Sequence, residues 1–158
     1  MFTEKADWSF IIPAAIVWSS ALLLTTLDFI LLQERAYHLS SLSIAGIGLT
    51  AMGVTLRVLA RKTLGRHFTH GLRVLEEHEL VRHGIYRRVR HPAYTGALLI
   101  YFGTPLTFNS TFGLLAMLPL VALILYRIRI EEEMLIGEFG DEYREYQEKT
   151  WKLVPLLY

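Results

Sequence analysis

The stretch FIIPAAIVWSSALLLTTLDFILL, residues 10–32, decides the class of fold. Its 23 residues include a single charge, Asp28. At about 1.5 Å per helical residue, this length is enough to cross a hydrocarbon core of roughly 30 Å. A second apolar stretch, residues 39–60, carries one charge, Arg57, near its end. These two stretches predict two transmembrane helices.

Two shorter apolar stretches lie in the second half of the chain. Residues 91–108 and 111–126 are separated only by Asn109 and Ser110, which predicts a tight helical hairpin. The composition agrees, since 53% of the 158 residues are hydrophobic, a high share for a soluble domain. We predict an all-α integral membrane protein. One domain, residues 1–158, would hold about four transmembrane helices, at 10–32, 39–60, 91–108 and 111–126.

Positive charges are unevenly distributed along the chain. Nine of the 16 Lys and Arg residues lie within residues 57–90 and five within residues 127–152. With four crossings, both segments fall on one side of the membrane, and the positive-inside rule makes that side the cytosol. We therefore expect both termini to be cytosolic. A cleaved signal peptide is not favoured, because the first apolar stretch is too long for one.

Two polar segments flank the predicted hairpin. Residues 61–90 show little periodicity, which is typical of a structured loop. Residues 127–158 place apolar side chains at spacings of four, four and three residues: Leu135, Phe139, Tyr143 and Tyr146. This spacing predicts an amphipathic cytosolic helix that continues out of the fourth span. Gly137 and Gly140 interrupt the pattern and are consistent with a bend.

Several classes of site are not supported by the sequence. The chain has no cysteine, which excludes disulfides, thiolate catalysis and Cys-bound zinc or iron–sulfur centres. Five of the six histidines lie within residues 67–91, but none form a His-His or His-x-x-x-His pair, so we expect no metal site. A Rossmann or P-loop glycine motif is also lacking, so any nucleotide-like cofactor would be held by loops and helix ends.

One candidate group of charges follows the fourth apolar stretch. Arg127 and Glu131 are four residues apart and share a helix face, with Glu132 beside them. Such a group is either a solvated helix end with an ordinary ion pair or a functional site at the membrane boundary, where ionisable residues often mark function. Both interpretations are open at this point.

The second candidate is GIYRRVRHPAYTG, residues 84–96. Pro92 suits the first turn of a helix, and helix N-terminal amides flanked by arginines attract anions. Alternatively, Arg87, Arg88 and Arg90 anchor the span at lipid head groups. The head-group interpretation leaves the interleaved tyrosines and glycines unexplained.

Three motifs resemble the isoprenylcysteine carboxyl methyltransferase family, within the wider group of integral-membrane methyltransferases that includes phospholipid methyltransferases. They are LGRHFT (64–69), HELVRHGIYRRVRHPAYTG (78–96) and RIRIEEEMLIGEFGDEYREY (127–146), followed by Leu153-x-Pro155. The resemblance implies methyl transfer from S-adenosylmethionine, with S-adenosylhomocysteine as product, at the membrane–cytosol boundary.

The resemblance also implies the site residues. Arg127 would meet the substrate, with Glu131 as a second catalytic residue. The cofactor would be bound by ten residues: His78, Leu80, Val81, Gly84, Tyr86, His91, Pro92, Tyr94, Glu131 and Glu132. A carboxylate acceptor needs no base because it is ionised near pH 7, and Arg127 would orient it. An amine acceptor would need to lose a proton, for which Glu131 is the candidate base.

The length and composition of the chain bear on the acceptor and on the location. The chain is shorter than eukaryotic members of the family, and Lys152 stands where many relatives have arginine. A compact, Cys-free chain suggests a prokaryotic inner membrane, with the active site on the cytosolic side. We expect a lipophilic or lipidated acceptor, contact with membrane lipids and no nucleic-acid partner. Two other functions are compatible with the pattern: a membrane reductase of sterol-reductase-like architecture, and a non-enzymatic scaffold or lipid binder.

Overall fold

The structure is a computed structural model that describes residues 5–31, 39–65 and 80–155, with side chains from residue 10 onward. Within those residues the chain forms six α-helices: α1 (Lys5–Leu31), α2 (Ser41–Leu64), α3 (Pro92–Thr107), α4 (Thr111–Ala116), α5 (Leu118–Phe139) and α6 (Asp141–Glu148). A 3-10 turn, Gly84–Arg87, precedes α3. The predicted helical class is confirmed for the described chain.

Three described segments are long and apolar enough to cross a membrane: Phe10–Leu31, Ser41–Leu64 and Thr111–Phe139. Large side chains such as Leu23, Ile30 and Ile44 are exposed on the first two of them. In contrast, α3 has only 16 residues, about 24 Å of helix against a core of roughly 30 Å. The count of four crossings and the single-domain boundaries therefore stay predictions.

The fourth predicted span, residues 111–126 with a helix continuing out of it, is not one unbroken helix. It is broken at Met117, because Pro119 has no backbone N–H and stands in the first turn of α5. Beyond the break, α5 continues without interruption to Phe139. The predicted bend occurs at Gly140, where φ is +56° and glycine is favoured, whereas Gly137 stays helical.

Helices α2 and α3 pack with their backbones in close approach. A Cβ atom at Gly46 would lie 2.4 Å from the Thr107 backbone nitrogen, and one at Gly53 would lie 2.6 Å from the Gly96 carbonyl oxygen. Glycine at these positions lets the two helices touch, as small residues do between membrane helices. The first turn of α3 is thereby held against α2.

Polar contacts at the opposite end of the bundle join the α3–α4 turn to the first two helices. The Ser110 hydroxyl donates to the Asp28 carboxylate at 2.7 Å. The Ser40 hydroxyl donates to the Asn109 side-chain oxygen at 2.6 Å, and the Asn109 amide donates to Ser43 at 3.0 Å. The turn expected at Asn109 and Ser110 is present, and its buried groups are hydrogen-bonded, as burial requires.

Candidate active site

The C-terminal segment, residues 149–155, lies against the start of α3. The Arg90 amide donates to the Trp151 carbonyl at 2.9 Å, and the His91 amide donates to the Lys152 carbonyl at 3.1 Å. The Thr95 hydroxyl donates to the Leu153 carbonyl at 2.7 Å. These bonds join residues about 60 positions apart in the sequence. They bring the end of the described chain to the predicted site.

Glu132 is surrounded by three basic side chains. Its Oε1 accepts from Arg90 Nε at 3.0 Å and lies 3.3 Å from His91 Nε2, and its Oε2 lies 3.2 Å from Lys152 Nζ. We call these four residues the Glu132 cluster. The cluster joins α5, the start of α3 and the C-terminal segment in one ion-pair network.

Arg90 also extends beyond the cluster. Its Nη1 donates to the Gln147 carbonyl at 2.8 Å and to the carbonyl oxygen of Thr150. These carbonyls belong to the end of α6 and the residues after it, where a cation is favourable. Arg87 and Arg88 are exposed, so head-group anchoring remains an interpretation for them, whereas the Arg90 side chain is turned into the protein.

Glu131 has a different set of neighbours. Its Oε2 accepts from the Tyr94 hydroxyl at 2.8 Å, and its Oε1 lies 3.9 Å from His91 Nδ1. The Glu131 side chain is 28% exposed, compared with 10% for Glu132. Of the two adjacent carboxylates, Glu131 is therefore the more accessible to a ligand.

Arg127 lies one helical turn before Glu131 and is buried. Its guanidinium carbon is 5.0 Å from the centre of the Phe10 ring, a cation–π geometry. Arg127 is also close enough to Tyr94 to interact electrostatically with its hydroxyl. Arg127 is therefore part of a buried polar group and not a solvated helix end, which was one of the two interpretations of this charge.

Tyr86 lies close enough to Glu131 to feel its charge. It is buried in the 3-10 turn, and its carbonyl accepts a hydrogen bond from the Tyr146 hydroxyl at 2.6 Å. Burial, with the charge of Glu131 as the second cause, raises the pKa of the Tyr86 hydroxyl above its usual range. The side chain is thus a neutral donor near Glu131 at any physiological pH.

The structure brings some of the predicted cofactor residues together and leaves others apart from them. Tyr86, His91, Tyr94, Glu131 and Glu132 converge with Arg127, and Pro92 is buried at the first position of α3. Gly84 adopts a φ of +60° at the start of the 3-10 turn, which gives a backbone reason for glycine there. Leu80 and Val81 are half-buried in the segment before the turn. His78 lies outside the described residues.

Three neighbours of the site were not predicted as site residues. Phe10 lies on a helix without a family motif. Arg90 was considered only within the run of arginines that attracts an anion or anchors the span at lipid head groups, and Lys152 only as a departure from relatives. One sequence signal could have indicated basic neighbours, because adjacent glutamates at the end of a span need basic partners. The sequence does not say which of the many Lys and Arg residues supply them.

Metal binding is a separate question. Among the residues that the structure describes, no group of three or more His, Cys, Asp or Glu side chains could hold a metal ion. His67, His70 and His78 lie outside that part of the chain. The converging group consists instead of carboxylates, aromatic rings and cations, which suits an organic ligand carrying both ammonium and carboxylate groups.

Comparisons with known proteins agree with this geometry. A family described as phospholipid methyltransferase matches residues 42–142. The probable protein-S-isoprenylcysteine O-methyltransferase of Oryza sativa subsp. indica is 36% identical over 118 residues, covering 73% of this chain and 62% of the relative. The protein-S-isoprenylcysteine O-methyltransferase of Schizosaccharomyces pombe is 34% identical over 116 residues, covering 72% of this chain and 49% of the relative.

A solved structure is also similar. It is that of the eukaryotic intramembrane Ras methyltransferase, isoprenylcysteine carboxyl methyltransferase, with a TM-score of 0.74 and 29% identity. The match covers 90% of this chain and 52% of the other. The chain therefore spans about half to under two thirds of the length of these proteins.

Proposed function

The chain belongs to the phospholipid methyltransferase family, and we propose that it is an enzyme that transfers a methyl group from S-adenosylmethionine to a lipophilic acceptor. It is an integral membrane protein, with three apolar helical segments long enough to span. The observation that carries the proposal is the Tyr94–Glu131 pair, 2.8 Å apart, beside the buried Arg127. This pair stands where the apolar part of α5 gives way to charged residues.

The described residues fit the chemistry of the cofactor. S-adenosylmethionine supplies an electrophilic methyl group on a sulfonium sulfur, and it also carries an ammonium, a carboxylate and an adenine ring. Glu131 is the more accessible of the two carboxylates and is suited to the ammonium. The other residues that we propose to hold the cofactor are His78, Leu80, Val81, Gly84, Tyr86, His91, Pro92, Tyr94 and, through the Glu132 cluster, Glu132.

Arg127 favours a carboxylate as the acceptor. An ionised carboxylate can be oriented by a guanidinium through two parallel hydrogen bonds, and it is a competent nucleophile without a general base. A buried cation would instead repel the ammonium form of an amine. The task of the protein is then to align the acceptor and exclude water.

The names of the relatives support the same class of acceptor. Those proteins are named for methylation of protein S-isoprenylcysteine, which offers a carboxylate next to a long apolar chain. We propose an acceptor of this kind, a lipophilic acid whose apolar part lies among the membrane helices. The family description names phospholipids instead, so an amine-bearing lipid is the second candidate.

The site is proposed to face the cytosol, because the basic segments that flank α3 are expected on that side. The named relatives are eukaryotic, so they give no support to a prokaryotic inner membrane. The proposal is therefore restricted to a membrane location with the charged end of α5 on the cytosolic side.

The test is transfer of a labelled methyl group from S-adenosylmethionine by the detergent-purified protein. An S-isoprenylated cysteine acid should become labelled, whereas the same molecule already blocked as a methyl ester should not. Arg127→Gln should lower kcat/KM for the acid by about 10- to 100-fold, as expected for loss of one charged hydrogen-bonding group. The control is Arg129→Gln, because Arg129 is 80% exposed and pairs with the exposed Glu133.

Other outcomes would point elsewhere. Label on the amine of a phospholipid and none on the acid would identify the second acceptor and contradict the role given to Arg127. Binding of a nicotinamide cofactor in place of S-adenosylmethionine would identify a reductase. Folded protein that binds neither cofactor would support a scaffold or lipid binder.

A further inference from the structure

The two adjacent glutamates of α5 differ in how much of their hydrogen-bonding capacity is already used. A carboxylate has about four acceptor sites. Glu132 uses three of them for Arg90, His91 and Lys152, at 3.0, 3.3 and 3.2 Å. Glu131 is bonded to the Tyr94 hydroxyl and faces His91 only at 3.9 Å. The charge of Glu132 is therefore balanced by side chains of the protein itself, whereas Glu131 stays accessible to a ligand.

The partners of Glu132 come from two parts of the chain, and the Glu132 side chain adds a third element, α5, to the backbone contacts that already join them. Arg90 and His91 precede α3, and Lys152 belongs to the C-terminal segment, whose carbonyls accept from the same two backbone amides. Arg90 further binds the carbonyls of Gln147 and Thr150. Removing the Glu132 charge would leave two cations facing each other and loosen this junction.

The orientation of the His91 ring follows from the same contact. A carboxylate can only accept a hydrogen bond, so His91 Nε2 carries its proton toward Glu132. The ring is thereby turned so that Nδ1 points to Glu131. A second residue that fixes a histidine ring in this way sets which nitrogen is presented to a ligand.

We infer that Glu132 is a positioning residue, which holds His91 and the C-terminal segment in place while Glu131 contacts the methyl donor. This inference rests on the proposed methyl transfer and assigns different tasks to two residues that the sequence motif treats as a pair. Arg90 and Lys152 share the positioning task, because each holds one oxygen of the Glu132 carboxylate. Their role is to keep His91 and Tyr94 at a fixed distance from Glu131.

The experiment compares Glu131→Gln, Glu132→Gln and Glu133→Gln, three consecutive positions on α5 whose side chains point in different directions. The side chain of Glu133 is 64% exposed, so it serves as the matched control. Affinity for S-adenosylhomocysteine is measured by calorimetry, kcat by methyl transfer to the lipophilic acid, and hydrogen exchange on peptides that cover residues 88–91 and 149–155. The three readouts separate ligand contact, alignment and docking of the C-terminal segment.

We expect Glu131→Gln to weaken S-adenosylhomocysteine binding by about 10-fold or more. Glu132→Gln should change this affinity by less than about 3-fold, lower kcat by roughly 10- to 100-fold through misalignment, and speed exchange in both peptides. Glu133→Gln should match wild type in all three. If Glu132→Gln does not fold, Lys152→Gln, at a half-exposed position, should give the same split with smaller changes.

Two results would overturn the inference while leaving the proposed function intact. One is a loss of affinity in Glu132→Gln as large as that in Glu131→Gln, with exchange at the wild-type rate, since this would make Glu132 a direct ligand. The other is wild-type kcat in both Glu132→Gln and Lys152→Gln. Failure of the wild-type protein to bind S-adenosylhomocysteine would overturn the proposed function and this inference together.

Discussion

Alanine at Gly46 is expected to force α2 and α3 apart. The three nearest atoms to a Cβ at this position are backbone atoms of α3, at 2.4, 2.7 and 2.8 Å. Ordinary van der Waals contact begins near 3.4 Å, so the helices must separate by about 1 Å, enough to lose a quarter to a half of the attraction between facing atoms. No side-chain rotation can relieve this overlap, because the atoms belong to the backbone.

The expected cost can be isolated with a second variant. Alanine in place of glycine inside a helix stabilises it by up to about 1 kcal/mol, and overpacking costs about 1–3 kcal/mol. Gly48 lies on the same helix with nothing within 4 Å of its Cβ position. Gly48→Ala should therefore gain the helix stabilisation without the cost of overpacking. The free energy of unfolding of Gly46→Ala should therefore be about 1–3 kcal/mol below that of Gly48→Ala.

The assay is equilibrium unfolding in mixed micelles, followed by circular dichroism, with wild type and both variants in the same detergent. Values for the two variants within about 0.5 kcal/mol of each other would refute the reasoning, because that is the scatter expected of substitutions without a packing change. Such a result would mean that α2 and α3 do not touch through Gly46.

Two further predictions concern buried polar groups. Burial raises the pKa of Tyr146 to about 12, above the unfolded value of about 10. Its contribution to stability is therefore complete below about pH 10 and lost as the pH rises towards 12; the decline in stability over this range should be smaller in Tyr146→Phe, and an equal decline would contradict the assignment. Asp28→Ala should lower the free energy of unfolding by about 1–3 kcal/mol, because Asp28 accepts from Ser110 Oγ at 2.7 Å and from the Phe112 amide at 3.3 Å. Asp28→Asn retains one acceptor oxygen and should lose less in the same unfolding assay, so equal losses would argue against this contact.

The two long N-terminal helices could be predicted closely from the sequence. Residues 10–32 and 39–60 were expected, and α1 and α2 extend over Lys5–Leu31 and Ser41–Leu64. Such a prediction works because a helix facing lipid needs only length and apolar side chains, which are properties of the segment itself. The break before Pro119 was missed because the apolar run continues on both sides of it, although the proline itself is a signal for a helix boundary.

The charged residues show the limit of the same reasoning. Arg87, Arg88 and Arg90 are near neighbours in one basic run, yet only Arg90 joins the Glu132 cluster. Its acceptors lie 42, 57 and 60 residues away in sequence, and local spacing contains no information on such pairs. The resemblance to a family predicted Tyr94, Glu131 and Arg127 as site residues, whereas the partners that fix their positions could be found only from the fold.

The central claim is a site for S-adenosylmethionine at the Tyr94–Glu131 pair, and calorimetric titration of the detergent-purified protein with S-adenosylhomocysteine tests it most directly. Wild-type protein should bind in the micromolar range, and Tyr94→Phe should weaken binding by about 10-fold, because the hydroxyl that orients Glu131 is lost. Tyr126→Phe, at a position on α5 that is 62% exposed, should bind like wild type. Absence of binding to folded wild-type protein, or equal affinity in Tyr94→Phe, would contradict the account.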